Sequence, residues 1–162
     1  MLEEFGDFWK IYGDARCITT NGALRTNGNA VMGKGIALQA KQRYPKIEYA
    51  LGRLIQKYGN HVFKLGDGLI SFPTKHHWSD ERSDIGLIKR SATELKSILR
   101  EDFSIKSKSN SRILLTRPGC GNGNLNWSDV GPILHVILNS EQFIVINKYD
   151  DRDESFKLKD GV

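Results

Sequence analysis

Cysteine and long apolar runs are scarce in this sequence of 162 residues, and each shortage excludes a class of protein. The two cysteines, Cys17 and Cys120, lie in different segments without metal-ligand spacing, which argues against a disulfide scaffold or a zinc centre. No apolar run is long enough to cross a bilayer, and the opening MLEEFGDFWK is acidic and mixed, unlike a signal peptide. We therefore expect a reduced cytoplasmic protein with no metal, no cofactor and no membrane association.

The remaining composition is that of a globular domain. Hydrophobic residues make up 39% and charged residues 27% of the chain. Its length suits a single domain over residues 1–150, followed by a charged tail at 151–162, and a monomer is expected. The net charge of +5 favours an anionic partner, although a merely solvated basic surface fits the same number.

Strand-like and helix-like patterns alternate along the chain. The predicted helices cover residues 35–43, 47–58, 85–99 and 127–138, and the predicted strands cover 15–20, 61–65, 69–72, 113–116 and 143–146. Residues 106–111, KSKSNS, are typical of a polar loop. This alternation predicts a three-layer α/β/α domain with a central mixed β-sheet, in which ligands bind beyond the carboxyl ends of the strands.

The first glycine-rich loop runs from Thr26 to Ala37, between a predicted strand and a predicted helix. Gly33 and Gly35 are expected to take positive φ and to let a ligand approach the backbone, with the helix N-terminus behind them. A tight turn without a ligand is the alternative. The stretch from Gly28 to Lys34 nearly matches a phosphate-binding P-loop, but Gly35 stands where magnesium coordination needs Ser or Thr.

The second glycine-rich loop runs from Arg117 to Trp127, again between a strand and a helix. Gly119, Gly121 and Gly123 alternate within five positions, which neither a strand interior nor a helix interior favours. Two such loops at one sheet edge predict a diphosphate held from both sides.

Five ordered motifs carry a resemblance to a known family. They are GD at 6–7, GDARCITTN at 13–21, MGKGIA at 32–37, FPTKHHW at 72–78 and PGCGNGNLNW at 118–127. The sequence resembles the macro domain family of ADP-ribose binders over about residues 6–149. Within that family it is similar to the branch of DarG-like DNA ADP-ribosyl glycohydrolases and terminal ADP-ribose protein glycohydrolases.

The resemblance implies a role for each matching position. Asp7 and Phe8 are expected to hold the adenine, Asn21 the distal ribose, and Tyr149 to stack on adenine. Ordinary surface or turn positions are the alternatives for Asp7, Asn21 and Tyr149. The loop residues expected to surround the distal ribose and the diphosphate are Met32, Gly33, Lys34, Gly35, Ile36, Gly119, Cys120, Gly121, Asn122, Gly123, Asn124 and Leu125.

Lys75 is the residue that the resemblance makes catalytic, with Asn21 beside it. Its amine could attack the anomeric carbon of the ring-opened distal ribose, or its charge could stabilise a developing alkoxide. A solvated lysine after a strand is the alternative. His76 and His77 are expected to be surface or packing residues, and Trp78 is expected to pack against neighbouring elements, as is Trp127.

The protein-directed branch pairs this lysine with an aspartate that would fall at Gly123 here. Its absence favours the DNA-directed reading, in which ADP-ribose is removed from a nucleobase. Two alternatives stay open: a phosphatase acting on ADP-ribose 1″-phosphate, and a module that binds ADP-ribose without turnover.

Overall fold

A six-stranded mixed sheet forms the centre of the protein in the computed structural model, which describes residues 1–148. The strand order is β1-β6-β5-β2-β4-β3, and every neighbouring pair is parallel except β3 with β4. The strands are β1 (Leu2–Phe5), β2 (Ala15–Asn21), β3 (Lys64–Gly66), β4 (Leu69–Lys75), β5 (Ile113–Leu115) and β6 (Phe143–Asn147). The mixed sheet predicted from the sequence is therefore confirmed.

Helices cover both faces of the sheet. They are α1 (Gly35–Arg43), α2 (Ile47–Tyr58), α3 (Ile85–Glu101), α4 (Phe103–Lys106) and α5 (Trp127–Ile137). One buried cluster joins α1 and α2 to the sheet through residues such as Ile18 and Leu51. A second joins α3, α4 and α5 to the opposite face through residues such as Phe72 and Leu95. These two clusters make the three layers that the alternation of elements predicted.

Four elements differ from the sequence-based expectation by three or more residues. Strand β4 continues to Lys75 instead of ending at Phe72, because its pairing with β2 extends to Lys75. The edge strand β1 was not predicted, because its sequence LEEF has no apolar alternation. It is a strand because it pairs with β6, at the far end of the chain, where Ile144 is the register partner of Leu2. Helix α4 was not predicted either, and it begins where the Asp102 carboxylate accepts the amides of Ser104 and Ile105. Strand β3 starts at Lys64 instead of residue 61, because its pairing with β4 begins at Lys64.

The carboxyl ends of β2 and β4 bring together two residues of interest. Asn21 is the last residue of β2, Lys75 is the last residue of β4, and the two are register partners. The register shifts by one residue just before this pair, between Thr20 and Asn21. Irregularities of this kind redirect side chains at strand ends and occur often beside functional sites.

The longest helix, α3, is amphipathic: Ile88, Ala92, Leu95 and Leu99 are buried along one stripe. Within residues 1–148, no helix combines the length and apolar character that a membrane span requires.

Candidate functional site

A large cleft opens at the carboxyl edge of the sheet. Its volume is about 1160 Å³, and it is lined by the segment after β1, the ends of β2 and β4, and both glycine-rich loops. From β1 to β4 the sheet spans four strand spacings, or about 19 Å at roughly 4.8 Å each. The cleft can therefore hold an elongated ligand lying across the strand ends.

The first half of the first glycine-rich loop packs away from the cleft. Leu24 and Ala30 form a β-bridge, and the Ala30 amide donates to the Glu48 carbonyl of α2 at 2.9 Å. The Gly28 carbonyl lies so close to Gly52 that a Cβ on Gly52 would come within 2.2 Å of it. Gly28, the first glycine of the near match to a P-loop, thus serves loop packing against α2 and does not line the cleft.

The second half of the first loop faces the cleft at the N-terminus of α1. Gly35 has φ of 57°, as expected, but Gly33 is not among the residues with positive φ, so that expectation was wrong. Instead, a Cβ on Gly33 would meet no protein atom within 4 Å, because that position is open. Met32 does not line the cleft, because its side chain is 1% exposed and packs in the core.

No side chain caps the N-terminus of α1, and its first turn contains no acidic residue. Helix α5, which follows the second loop, also begins without a side-chain cap. By contrast, the Asp84 carboxylate caps α3 by accepting the amides of Gly86 and Leu87 at 2.8 and 3.2 Å. The uncapped N-terminus of α1 at the cleft leaves amide donors and a partial positive charge available to an anion.

The three alternating glycines of the second loop play different structural roles. Gly119 has φ of 77°, and a Cβ on Gly123 would lie 2.1 Å from the Ser83 Oγ. Gly121 is open, with no protein atom within 4 Å of a Cβ placed there. Asn124 does not line the cleft: its φ is 56°, and its side-chain Nδ2 donates to the Glu81 carbonyl at 2.8 Å.

The two loops lie against each other. A Cβ on Gly35 would come within 2.9 Å of the Asn122 Nδ2. The Lys75 Nζ donates to the Asn122 carbonyl at 3.1 Å, which ties the end of β4 to the same loop. The backbones of both loops and the lysine amine therefore surround one part of the cleft.

Asn21 lines the cleft while holding the first loop in place. Its Nδ2 donates to the Val31 carbonyl at 3.1 Å, and its Oδ1 accepts the Ala23 amide at 2.9 Å. The Lys75 carbonyl accepts from the Asn60 Nδ2 at 3.0 Å, which fixes the backbone beside the amine. The two residues predicted to be catalytic are thus brought together on adjacent strand ends.

The end of the cleft near β1 is built around Asp7, Phe8 and Trp9. The Asp7 Oδ1 accepts the Trp9 amide at 2.8 Å, and buried Phe8 contacts Trp9 edge-to-face at 5.2 Å between ring centroids. The Arg43 guanidinium lies 4.5 Å from the Trp9 ring centroid, and the indole N–H donates to the Gln39 Oε1. Sequence reasoning found Asp7 and Phe8 but missed Trp9, while Tyr149 lies outside the described residues.

The charge of the cleft wall favours an anion. Among residues 1–148, its lining contains one carboxylate, Asp7, and five Lys or Arg side chains: Lys34, Arg43, Lys75, Arg117 and Lys148. Burial raises the pKa of Cys120 to about 11, so this thiol stays protonated at neutral pH and is a poor nucleophile. The hydrogen bond from His76 holds the pKa of Asp84 below its usual value, which keeps the α3 cap charged at neutral pH.

Three more residues of the cleft wall escaped sequence reasoning. Thr20 and Ser83 are each 6% exposed, and neither hydroxyl has a hydrogen-bond partner within the described part of the chain. No local sequence pattern indicates a role for Ser83, because a contact between distant segments holds it at the site: its amide donates to the Gly123 carbonyl at 2.8 Å. Trp78 was expected to pack, but it is 56% exposed and lines the cleft. Trp127 lines the cleft as well, but it is partly buried and packs against the core, as expected.

The fold and the sequence of the chain are similar to those of known proteins. It superposes on the macrodomain of Mycobacterium tuberculosis DarG with a TM-score of 0.72 and 28% identity, covering 90% of this chain and 95% of that one. For the macrodomain of Thermus aquaticus DarG the TM-score is 0.70 at 25% identity, with coverage of 92% and 97%. The chain belongs to the macro domain family. A Thermosipho africanus DarTG in complex with ADP-ribose shares the fold at a TM-score of 0.67 and 24% identity, covering 94% of this macro domain and 43% of that chain.

Curated relatives match this macro domain over part of their length. Proteins described as DNA ADP-ribosyl glycohydrolase from Mycobacterium tuberculosis and Mycobacterium bovis are 34% identical over 129 residues. The match covers 73% of this chain, but the chain spans only about a third of those relatives, 35% of their length. No family model matches the sequence.

The unequal roles of Gly121 and Gly123 lead to a stability prediction. Gly123→Ala is expected to destabilise the macro domain by about 1–3 kcal/mol, because the new methyl would overlap Ser83 Oγ and the Gly119 carbonyl. The matched variant Gly121→Ala, two residues away, is expected to change stability by less than about 0.5 kcal/mol. Urea denaturation of both variants tests this, and equal midpoints would contradict the packing of the second loop described above.

Proposed function

We propose that this macro domain binds ADP-ribose and hydrolyses its bond to a nucleobase of DNA, with Lys75 as the catalytic residue. The observation that carries the proposal is the position of Lys75: its amine lies at a strand end, within the anion-binding cleft, and contacts the second glycine-rich loop. The names of the curated relatives support the reaction class.

The shape of the cleft supports one orientation of the ligand. The adenine would lie near β1, where Asp7 offers a carboxylate acceptor and Trp9 an aromatic surface. The diphosphate would lie between Gly33 and Gly121, whose open positions admit a ligand close to the backbone, next to the uncapped α1. The distal ribose would then lie over the ends of β2 and β4, beside Lys75.

The chemistry proposed for Lys75 is covalent. Ring opening breaks the C1″–O4″ bond, O4″ takes a proton from solvent, and C1″ is left as an iminium to the base. The neutral Lys75 amine adds to C1″, and the base departs with a proton that Nζ gives up. The resulting Schiff base between Nζ and C1″ is hydrolysed by water, which returns the amine and releases ADP-ribose as its aldehyde, which recloses. Asn21 is proposed to hold the first loop against the distal ribose through its contact with Val31.

A trapping experiment tests the covalent step. Borohydride added during turnover of an ADP-ribosylated oligonucleotide is expected to reduce the imine and fix ADP-ribose on Lys75, as peptide mass spectrometry would show. The adduct should be missing from Lys75→Arg, whose guanidinium stays protonated and does not add to carbonyl carbons. Full turnover with no adduct at Lys75 would refute the Schiff base.

The packing of Gly123 supports the DNA-linked substrate over a glutamyl ester. An aspartate at this position would place its Cβ 2.1 Å from Ser83 Oγ and 2.5 Å from the Gly119 carbonyl oxygen. The second loop therefore has no room for the carboxylate that the resemblance associates with protein-linked substrates. Lys75 acts without that partner in the proposed reaction.

A panel of three substrates tests the function directly: DNA-linked ADP-ribose, glutamyl-linked ADP-ribose and ADP-ribose 1″-phosphate. Release of ADP-ribose from DNA alone is the expected result. Phosphate release from the third substrate would instead identify a phosphatase, and binding of ADP-ribose without any turnover would identify a binding module. The proposal also includes a monomeric protein that acts in a reducing cytoplasm. Cys17 and Cys120 are both free thiols, which fits a reducing compartment.

A further inference from the structure

Trp78 stands out among the aromatic residues of the cleft because more than half of its surface is exposed. Its relative exposure is 56%, while it lines the same cavity as Lys75 and Gly33. The apolar surface of a large exposed indole is removed from water only when another group covers it. Its place on the wall of the ligand cleft makes a bound ligand the natural cover.

The turn that carries Trp78 is held in place by several hydrogen bonds. The His77 amide donates to the Asp80 Oδ2 at 2.9 Å, and the Asp80 amide donates to the His77 carbonyl at 3.2 Å. His76 contacts Asp84 through its ring at 2.8 Å, and its carbonyl accepts the Gly22 amide at 3.1 Å. The indole is thus presented by an ordered turn that is attached to Gly22, directly after β2, and to Asp84, the N-cap of α3.

The position of the turn relates Trp78 to one part of the substrate. Trp78 follows Lys75 by three residues, at the β4 end of the cleft, whereas Asp7 and Trp9 lie beyond β1 at the other end. With the distal ribose at Lys75, the group bonded to C1″ must lie beyond the β4 end. That group is the leaving group of the reaction.

We propose that Trp78, supported by the ring of His77, is the stacking platform for the nucleobase that carries ADP-ribose. The two rings are neighbours, with centroids 5.4 Å apart and planes inclined by 35°. Every base has a π-face, so an exposed indole binds an unpaired base without needing a matched hydrogen-bond pattern. A base attached to ADP-ribose has to be outside the duplex stack to enter this cleft, which favours single-stranded or extruded DNA.

The inference rests on the proposed function, so wild-type turnover of an ADP-ribosylated oligonucleotide is measured first. Trp78→Ala is expected to lower kcat/KM on that substrate by about tenfold to a hundredfold, the usual effect of losing one stacked base. The same loss is expected with an ADP-ribosylated nucleoside, because the platform contacts the modified base itself. Trp78→Phe should restore most of the activity.

Two controls separate stacking from a structural effect. The affinity for free ADP-ribose, measured by calorimetry, should be unchanged in Trp78→Ala, since ADP-ribose has no base at C1″. Phe103→Ala removes an aromatic residue that is 82% exposed and outside the cleft lining, and it should leave kcat/KM unchanged.

The outcomes distinguish this inference from the proposed function. If the wild type does not release ADP-ribose from DNA, the proposed function fails. The inference is then tested by binding: weaker binding of the modified oligonucleotide by Trp78→Ala than by the wild type would support the stacking platform. Unchanged turnover and affinity in Trp78→Ala would overturn the inference alone. A loss seen only with the oligonucleotide would assign Trp78 to a neighbouring base. An equal loss of affinity for a glutamyl-linked ADP-ribosyl peptide, which has no base at C1″, would exclude a base platform.

Discussion

Replacing Lys75 with alanine is expected to reduce the release of ADP-ribose from DNA by at least about a hundredfold, while the affinity for free ADP-ribose changes by less than about twofold. The loss follows because, among residues 1–148, Lys75 is the residue that brings an amine to the end of β4. Binding should persist because the amine contacts the second loop through one hydrogen bond, to Asn122, and the cradle is formed by the backbone of the two loops.

Single-turnover kinetics and calorimetry on the same protein preparations measure the two quantities. Lys89→Ala is a suitable control, because it removes an exposed lysine from α3 that does not line the cleft. Lys75→Arg separates two mechanisms: it keeps the positive charge, so substantial activity would indicate electrostatic stabilisation instead of covalent attack. Equal turnover in Lys75→Ala and wild type would remove this lysine from the mechanism altogether.

Gly33→Glu is expected to weaken ADP-ribose binding by at least about a hundredfold without destabilising the fold. The position is open to the cleft, so the protein itself has room for a side chain there. The glutamate would occupy the space proposed for the diphosphate and repel it. At about 4 Å and an effective dielectric constant of 20, one pair of like charges repels by about 4 kcal/mol. This repulsion alone exceeds the binding free energy that a hundredfold loss of affinity represents.

Calorimetry at two salt concentrations, with urea denaturation as the stability check, tests this result. Gly33→Gln is the matched control, since it has nearly the same size without the charge, so the difference between the two variants gives the electrostatic part. Unchanged affinity in Gly33→Glu would place the diphosphate elsewhere, even if the protein still binds ADP-ribose.

The sequence was a good guide wherever local patterns carried the information. The bounds of α1 and α2 agree with the prediction at both ends, because apolar spacing, Pro45 and Gly59 mark them within a short stretch of chain. The two glycine-rich loops were located for the same reason. Their placement at a common sheet edge followed from the general geometry of parallel strands and is confirmed by the contact between Gly35 and Asn122.

Local patterns failed where a role depends on distant partners. Met32 belongs to a glycine-rich motif yet is buried, because the first loop turns its side chain into the core shared with α2. Trp78 looked like a packing residue yet is exposed, because the turn after β4 leads it to the wall of the cleft. Ser83 gave no signal at all, since only its backbone contact with Gly123 brings it to the site.

The amino-acid sequence by itself determined the alternation of strands and helices, the two glycine-rich loops and the FPTK motif that contains Lys75. The tertiary structure decided which of those residues share a cleft, which glycines are open to a ligand, and that Asn21 and Lys75 end adjacent strands in register. The physical reason is the range of the interactions. Backbone propensity and apolar spacing act over a few residues, whereas the cleft arises from strand pairing and loop packing between segments far apart in the chain.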